Sequence, residues 1–136
     1  GMSDLVSVVT PERLNELEAA MLAERPVECP VEHVFRPGVY VRKALFPAGT
    51  LVLGHAWKAP HWNLLMGGHV KVMVGGVTRE MIAPRIIKAP AGRKLFYAIT
   101  DTLWANVVRT DLTDLDEIEA ALVDPSEEWK HSQEAA

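Results

Sequence analysis

Cysteine is almost absent from this chain of 136 residues, which contains a single one, Cys29. An internal disulfide is therefore impossible, and a zinc site built from several thiolates is excluded as well. No apolar run approaches the roughly 18–20 residues of a membrane-spanning helix. The first residues also lack the basic segment and apolar block of a secretory signal. We therefore expect no membrane partner and a reducing, cytoplasmic setting.

An excess of basic residues is also missing. The chain has 14 Lys and Arg against 18 Asp and Glu, which gives a net charge of −4. A nucleic-acid surface usually needs a basic face, so no nucleic-acid partner is expected. Hydrophobic residues make up 49% of the composition and charged residues 24%. That balance and this length are typical of one globular domain with a single core.

Helical patterns occur only towards the two ends of the chain. Thr10, Pro11 and Glu12 form a typical helix start, and apolar residues at helical spacing then predict an amphipathic helix over residues 11–24, ended by Arg25-Pro26. Near the other end, Thr113 with Asp116 resembles a capping box and predicts a helix through Val123. Asp124-Pro125 opens a final helical turn that carries Trp129.

Between these helices the hydrophobic period changes to two, which is the period of strands. The predicted strands are Val39–Phe46, Thr50–Trp57, His61–Met66, Val70–Val74, Val77–Ile82, Arg85–Lys88, Lys94–Ile99 and Leu103–Arg109. The pairs Gly67-Gly68 and Gly75-Gly76 can each close a hairpin. Eight short strands with no helix between them predict an antiparallel barrel or jelly roll.

The chain thus divides into three parts of one structural domain. Residues 1–27 are predicted to form the N-terminal helix and lead-in, 28–110 the β-barrel, and 111–136 the C-terminal helix and tail. The lead-in to the barrel, from Glu28 to Gly38, is predicted to be extended or irregular.

The most informative stretch runs from Gly49 to Gly68, with the sequence GTLVLGHAWKAPHWNLLMGG. Its spacing is Gly49, five residues, His55-x-Trp57, three residues, His61, six residues, Gly68. Pro60 cannot donate to a ladder, so the stretch is predicted to form two neighbouring antiparallel strands joined across Ala59-Pro60.

This spacing resembles the first motif of the cupins, G-x5-H-x-H-x3,4-E-x6-G, with Trp57 at the second His and His61 at the Glu. The resemblance implies a cupin-type double-stranded β-helix, a jelly-roll barrel with N- and C-terminal α-helices. The second cupin motif is visible as Pro90-Ala91-Gly92, but Leu95 stands where the family has its third His. The segments from Glu28 to about Val123 also resemble small single-domain cupins encoded in phage and prophage genomes, a group without a settled activity.

In the family, the two motifs place metal-binding side chains inside the barrel. The resemblance therefore implies His55 and His61 as ligands of a possible divalent metal such as Zn, Ni, Mn or Fe. Trp57, Asn63, Leu95 and Tyr97 are the predicted lining of a ligand pocket, since period two places them on the same strand faces as the motif positions. Core packing and ordinary hydrogen bonding are the structural alternatives for all six residues.

Three functions stay open from the sequence. The first is a barrel that binds a small ligand or a metal ion without demonstrated catalysis. The second is a metal-dependent isomerase, lyase or dioxygenase, with His55 and His61 as ligands and Tyr97 as acid or base. The third is a structural or accessory protein of prophage origin without metal. The edge strands and the amphipathic helices also predict a homodimer.

Overall fold

The computed structural model describes residues 11–24, 29–74 and 77–134. Its helices are α1 (Pro11–Ala23), α2 (Leu115–Leu122) and α3 (Glu127–Glu134). Its strands are β1 (Val31–Arg36), β2 (Val39–Phe46), β3 (Leu51–Leu53), β4 (Ala56–Trp57), β5 (His61–Gly67), β6 (His69–Val74), β7 (Val77–Ile82), β8 (Arg85–Ala89), β9 (Leu95–Ala98), β10 (Thr102–Arg109) and β11 (Val123–Asp124). None of the helices in these ranges is long and apolar enough to cross a membrane.

The strands form two facing antiparallel sheets. One sheet has the order β1-β2-β10-β5-β8 and the other has the order β3-β9-β6-β7, while β4 pairs with β11 alone. The main core lies between the two sheets and contains Phe46, Leu65, Val70, Val72, Phe96 and Trp104. The predicted antiparallel barrel with helices towards both ends of the chain is therefore confirmed.

The pair Gly67-Gly68 does not close a hairpin, contrary to its prediction, because β5 and β6 belong to different sheets. The Gly49–Gly68 stretch also differs from its prediction in how its strands pair. Its strands do not pair with each other: β3 pairs with β9 and β4 with β11, whereas β5 lies between β10 and β8. The bend at Lys58–Pro60 carries the chain from one sheet to the other. Pro60 does separate the two extended runs, but the consequence is a crossing of the barrel and not a hairpin.

The segment that forms β1 was predicted to be extended or irregular, and it is a regular strand of the five-stranded sheet. It pairs with β2 along its whole length, from Val31 opposite Ala44 to Arg36 opposite Val39. Five of its six residues are exposed, so the strand lacks the apolar alternation that marks a half-buried strand. Gly38, with a φ of 85°, occupies the left-handed region in the turn that joins β1 to β2.

The cap of α2 also lies one residue later than predicted. Asp114 and not Thr113 caps the helix, because its extended backbone lets its carboxylate accept from the N–H groups of Asp116 at 2.8 Å and Glu117 at 3.3 Å. The predicted cap at Thr10, the helix end at Arg25-Pro26 and the hairpin at Gly75-Gly76 lie outside the described residues.

Helix α1 covers the outer face of the four-stranded sheet. Leu14, Leu17 and Met21 pack against a cluster that contains Met73 and Leu95. These three side chains recur at helical spacing, so the apolar face of the predicted amphipathic helix is the face that packs on the four-stranded sheet.

A buried ion pair fastens α1 to the barrel and to α3. Glu18 on α1 is 5% exposed, and its carboxylate accepts from Arg93 Nη2 at 2.6 Å and from the Ser126 hydroxyl. Arg93 Nε also donates to the carbonyl of Gly54 at 2.9 Å. Burial alone would raise the pKa of Glu18, but the hydrogen bonds from Arg93 and Ser126 outweigh it and lower the pKa below its ordinary value.

We expect Glu18→Ala to lower the free energy of unfolding by roughly 3 kcal/mol, because it leaves the Arg93 guanidinium buried without its counter-charge. Urea unfolding at pH 7 measures the change. The matched control on the same helix is Glu16→Ala, whose side chain is 67% exposed in a surface pair with Arg13, and which should cost less than about 0.5 kcal/mol. Equal effects of the two substitutions would contradict a structural role for the buried pair.

Because the pKa of Glu18 is lowered, its contribution to the free energy of unfolding is present above the ordinary carboxyl pKa and disappears as the pH falls through the pKa of the folded state.

The outer face of the five-stranded sheet is apolar and open to solvent. Trp62 and Met66 on β5 are each 48% exposed, and Ile86 on the neighbouring β8 is 71% exposed. A contiguous exposed apolar surface commonly marks an interface. The homodimer expected from the sequence stays a prediction, and we propose that a second copy of the chain covers this face.

Light scattering at micromolar concentration should then give twice the 15.0 kDa mass of one chain. Joint substitution of Trp62 and Ile86 by Glu should shift the mass to that of one chain, since two buried like charges would meet across the interface. Ile82→Glu is the control, because Ile82 is 65% exposed on β7 of the other sheet. A mass of one chain for the unsubstituted protein would reject the dimer.

Candidate functional site in the barrel cavity

A cavity of about 630 Å³ lies between the sheets and beneath α2. Volumes of this size are typical of small-molecule sites. Its apolar wall is largely aromatic or branched and includes Phe46, Val52, Trp57, Phe96, Trp104 and Ile118. Its polar groups come from five strands or strand ends and from α2: His33, Tyr40, Arg42, His55, Lys94, Asn106, Asp116 and Glu119.

Helix α2 packs on the barrel through its buried Ile118 and forms one wall of the cavity. Ile118 packs with Tyr40 and Val108, and its neighbours Leu115 and Leu122 also reach the cavity. On the same helix, Glu119 Oε1 lies 3.9 Å from His55 Nε2. The acidic residues of α2 thus include two that border the cavity, Asp116 and Glu119.

His55 lies in the break between β3 and β4. Its ring is in edge-to-face contact with Trp129 of α3, with 5.0 Å between the ring centroids. Its Nδ1 is buried and has no hydrogen-bond partner among the described residues. Burial lowers the pKa of His55 and outweighs the opposing charge of Glu119, so the ring is neutral at pH 7.

His61 lies at the start of β5 and is held on three sides. Its ring stacks on Trp57 at 3.7 Å between centroids, its Nδ1 lies 3.1 Å from the Ala59 carbonyl, and its Nε2 lies 2.7 Å from Lys94 Nζ. A carbonyl oxygen only accepts, so Nδ1 carries the proton and Nε2 accepts from Lys94.

Lys94 is the residue that sequence reasoning missed. It is only 8% exposed, lines the cavity, and places its Nζ 5.4 Å from the centre of the Trp57 ring. Among the described residues, no carboxylate lies within 4 Å of its ammonium group. Burial lowers the pKa of Lys94 to about 8, and burial together with the Lys94 charge lowers the pKa of His61 to about 4.

The structure places Leu95 and Tyr97 away from this cavity. Both belong to the cluster under α1, on the face of β9 opposite to Phe96 and Ala98. The sequence prediction took its register from the third His of the second cupin motif, which falls on Leu95. The inward faces belong instead to Lys94 and Phe96, so the expected register is wrong by one residue.

Asn63 is buried on the inner face of β5 but does not line the cavity itself. It is 0% exposed, and its Oδ1 accepts from Asn106 Nδ2 at 2.5 Å on the neighbouring β10. Asn106 does line the cavity. Trp57 therefore reaches the cavity directly, while Asn63 reaches it through Asn106.

A second polar group at the cavity comes from β1, the strand that the sequence did not predict. His33 Nδ1 and the Tyr40 hydroxyl share a hydrogen bond of 2.7 Å, and their rings are stacked. Tyr40 is 4% exposed, and burial raises its pKa. An exposed strand rich in charge gave no sequence signal that His33 would face inwards.

The donor set does not fit a metal site shared by His55 and His61. Both ring nitrogens of His61 are engaged, and a cation at Nε2 would have to displace the Lys94 ammonium. His61 does not line the cavity that His55 borders. Within residues 11–24, 29–74 and 77–134, no three His, Cys, Asp or Glu side chains come together as a metal-binding group. The metal site stays a prediction that these contacts do not favour.

Comparison with known proteins bears on the fold alone. No family model matches the chain, and no curated protein matches it. Among solved structures, KdgF from Halomonas is 16% identical with a TM-score of 0.53, covering 66% of this chain and 86% of that one. A cupin superfamily protein from Desulfitobacterium hafniense is 11% identical with a TM-score of 0.52, covering 68% and 87%. An RmlC-like cupin from Methanocaldococcus jannaschii is 15% identical with a TM-score of 0.52, covering 65% and 86%. The cupin-type fold implied by the motif is therefore confirmed.

The pairing of Lys94 with His61 makes a testable prediction about titration. We expect NMR of the His61 ring to show a pKa of about 4 in the unsubstituted protein. In Lys94→Met the pKa should rise towards its ordinary value, because a positive neighbour has been removed while burial remains. Lys88→Met, on an exposed lysine 5.9 Å from the centre of the Trp62 ring, is the control and should leave His61 unchanged. A His61 pKa that is the same in all three proteins would show that Lys94 does not act on it.

Proposed function

We propose that this protein binds a small organic molecule in the barrel cavity. The molecule has an apolar body and an oxygen-bearing acceptor group that Lys94 contacts. The observation that carries the proposal is a buried ammonium group in a cavity wall, with no carboxylate of the described residues within 4 Å. A buried cation without a counter-charge is costly, and an acceptor supplied by a ligand would offset that cost.

The cavity wall supports the same class of ligand. Trp57, Phe96 and Trp104 offer flat apolar surfaces that pack well against a ring or a branched chain. Arg42 adds a second cation to the wall, and it too forms no ion pair within 4 Å with a described carboxylate. The acids Asp116 and Glu119 lie on α2, at one side only. The polar character of the cavity is thus cationic towards the barrel and acidic towards the helix.

The other two functions predicted from the sequence are less well supported. A metal-dependent isomerase, lyase or dioxygenase would use His55 and His61 as ligands, and the engagement of His61 by Lys94 counts against that donor set. A prophage-derived accessory protein needs no cavity, and an uncompensated cation inside the barrel counts against a pure scaffold. Metal titration beside the ligand titration tests the first alternative, with His61→Ala as the variant.

Benzoate is a suitable first probe, because it combines an aromatic body with a carboxylate. Trp57 and Trp104 line the cavity, so binding should quench tryptophan fluorescence. We expect Lys94→Met to weaken benzoate binding at least tenfold, since the charged acceptor loses its partner. Benzyl alcohol has the same body without the charge, so its affinity should differ by less than threefold between Lys94→Met and the unsubstituted protein.

Two controls locate the site. Lys88→Met removes an exposed lysine beside Trp62 and should leave benzoate binding unchanged. Val52→Phe fills space in the cavity wall and should weaken both probes, whereas Val77→Phe on an exposed position of β7 should weaken neither. No quenching by any member of a panel of aromatic and aliphatic acids, ketones and alcohols would reject the proposed function.

A further inference from the structure

The contact between Lys94 and His61 is also suited to a covalent reaction, in addition to binding an acceptor group of a ligand. The two groups are both basic, and they share one hydrogen bond of 2.7 Å. Two protonated bases at that distance would repel strongly in a desolvated site, so the pair carries at most one positive charge near neutral pH. His61 is the neutral member, because its Nδ1–H faces the Ala59 carbonyl and its Nε2 lone pair faces Lys94.

We propose that Lys94 captures an aldehyde or ketone in the cavity as a protonated imine, with His61 as its positioning residue. The inference rests on the proposed function, because the carbonyl compound must first enter the cavity. Three features of geometry carry it: the amine faces a cavity, it has no carboxylate neighbour within 4 Å among the described residues, and a stacked pair of rings fixes its direction.

The step balances without any added reagent. The Lys94 ammonium loses a proton to solvent, with His61 Nε2 as the first acceptor along the hydrogen bond. The neutral Nζ then forms a bond to the carbonyl carbon, and the carbonyl oxygen takes up two protons, one from Nζ and one from solvent. The carbon–oxygen bond breaks, water leaves, and the nitrogen keeps one proton and the positive charge. An amine, a carbonyl and a proton thus give a protonated imine and one water, with no oxidation or reduction.

The ionisation of Lys94 supports this chemistry. Burial lowers its pKa to about 8, whereas an ordinary lysine has a pKa near 10.4. A much larger fraction of Lys94 is therefore a neutral amine at pH 7.5 than of an exposed lysine, and only the neutral amine attacks a carbonyl. The charged or titratable groups that line the cavity with it are Arg42, His55, His33, Tyr40, Asp116 and Glu119, and His61 contacts Lys94 without lining the cavity.

The test uses benzaldehyde with sodium cyanoborohydride, which reduces an imine to a stable benzylamine. Peptide mapping by mass spectrometry then reports the rate of labelling at each of the six lysines. We expect labelling of Lys94 at pH 7.5 to be at least tenfold faster than labelling of Lys130. Lys130 is the comparison within the same protein, because its side chain is 52% exposed on α3, away from the proposed dimer face.

The non-carbonyl analogue benzyl alcohol separates the two proposals. Selective labelling of Lys94 that benzyl alcohol slows would support both. If benzyl alcohol binds by fluorescence and Lys94 is labelled no faster than Lys130, the imine is rejected and the proposed function stands. If no member of the probe panel quenches tryptophan fluorescence and benzyl alcohol does not slow labelling, the cavity is not the binding site and both proposals fail.

The role of His61 has its own readout. His61→Phe keeps an aromatic ring against Trp57 but removes the acceptor of the Lys94 hydrogen bond. Because that bond favours the ammonium form, its loss should lower the pH at which the labelling rate reaches half its maximum, from about 8 in the unsubstituted protein. A purely structural role would change the extent of labelling without moving this midpoint. An unmoved midpoint would overturn the positioning role.

Discussion

The outward direction of the Arg93 side chain determines which of the following side chains face the cavity. Its guanidinium reaches outwards to Glu18 of α1 and to the Gly54 carbonyl, at 2.6 Å and 2.9 Å. The next residue, Lys94, lines the cavity, and Leu95, the first residue of β9, packs in the cluster under α1. A buried ion pair that is expensive to break therefore fixes which residues of β9 meet the ligand space. The same pair fixes the carbonyl next to His55.

The sequence predicts the architecture far better than it predicts the site. Alternating apolar runs and a spaced Gly–His–Trp–His–Gly stretch are enough for an antiparallel cupin-type barrel, because both depend on local periodicity. They are not enough to show which strands pair, since β5 could follow β4 as a hairpin or cross to the other sheet. The exposed strand β1 escaped prediction because neither of its faces is buried enough to impose a pattern.

The predicted pocket residues divide along the same line. Trp57 and His55 line the cavity, Trp57 from β4 and His55 from the break that precedes it. Leu95 and Tyr97 do not, because β9 is apolar on both faces and its period of two cannot say which face is inside. Lys94 was overlooked for a related reason: a lysine is rarely buried, so composition alone assigns it to the surface. Only the three-dimensional contacts with His61 and Trp57 identify it as part of the interior.

The interior therefore differs in chemical character from the metal site that the cupin motifs imply. Where the cupin motifs would supply imidazoles and a carboxylate, this barrel has an indole, an imidazole already hydrogen-bonded to an ammonium group, and a leucine turned outwards. Such a set of residues favours an electron-rich oxygen over a metal ion. Relatedness of fold below 25% identity does not transfer chemistry, and the contacts of this chain's own residues are the better guide.

The pairing of β2 with β10 has a consequence for how the chain is made. Partners in this ladder, such as Val39 with Arg109 and Phe46 with Thr102, are far apart in sequence. A nascent chain leaving the ribosome cannot close the five-stranded sheet until nearly all of the barrel has been synthesised. Strands β2 and β5 are synthesised before β10, so they lack the strand that lies between them until β10 has been made. Topologies dominated by such distant pairs fold slowly. The barrel can thus close only after β10 has been made and has paired with β2 and β5.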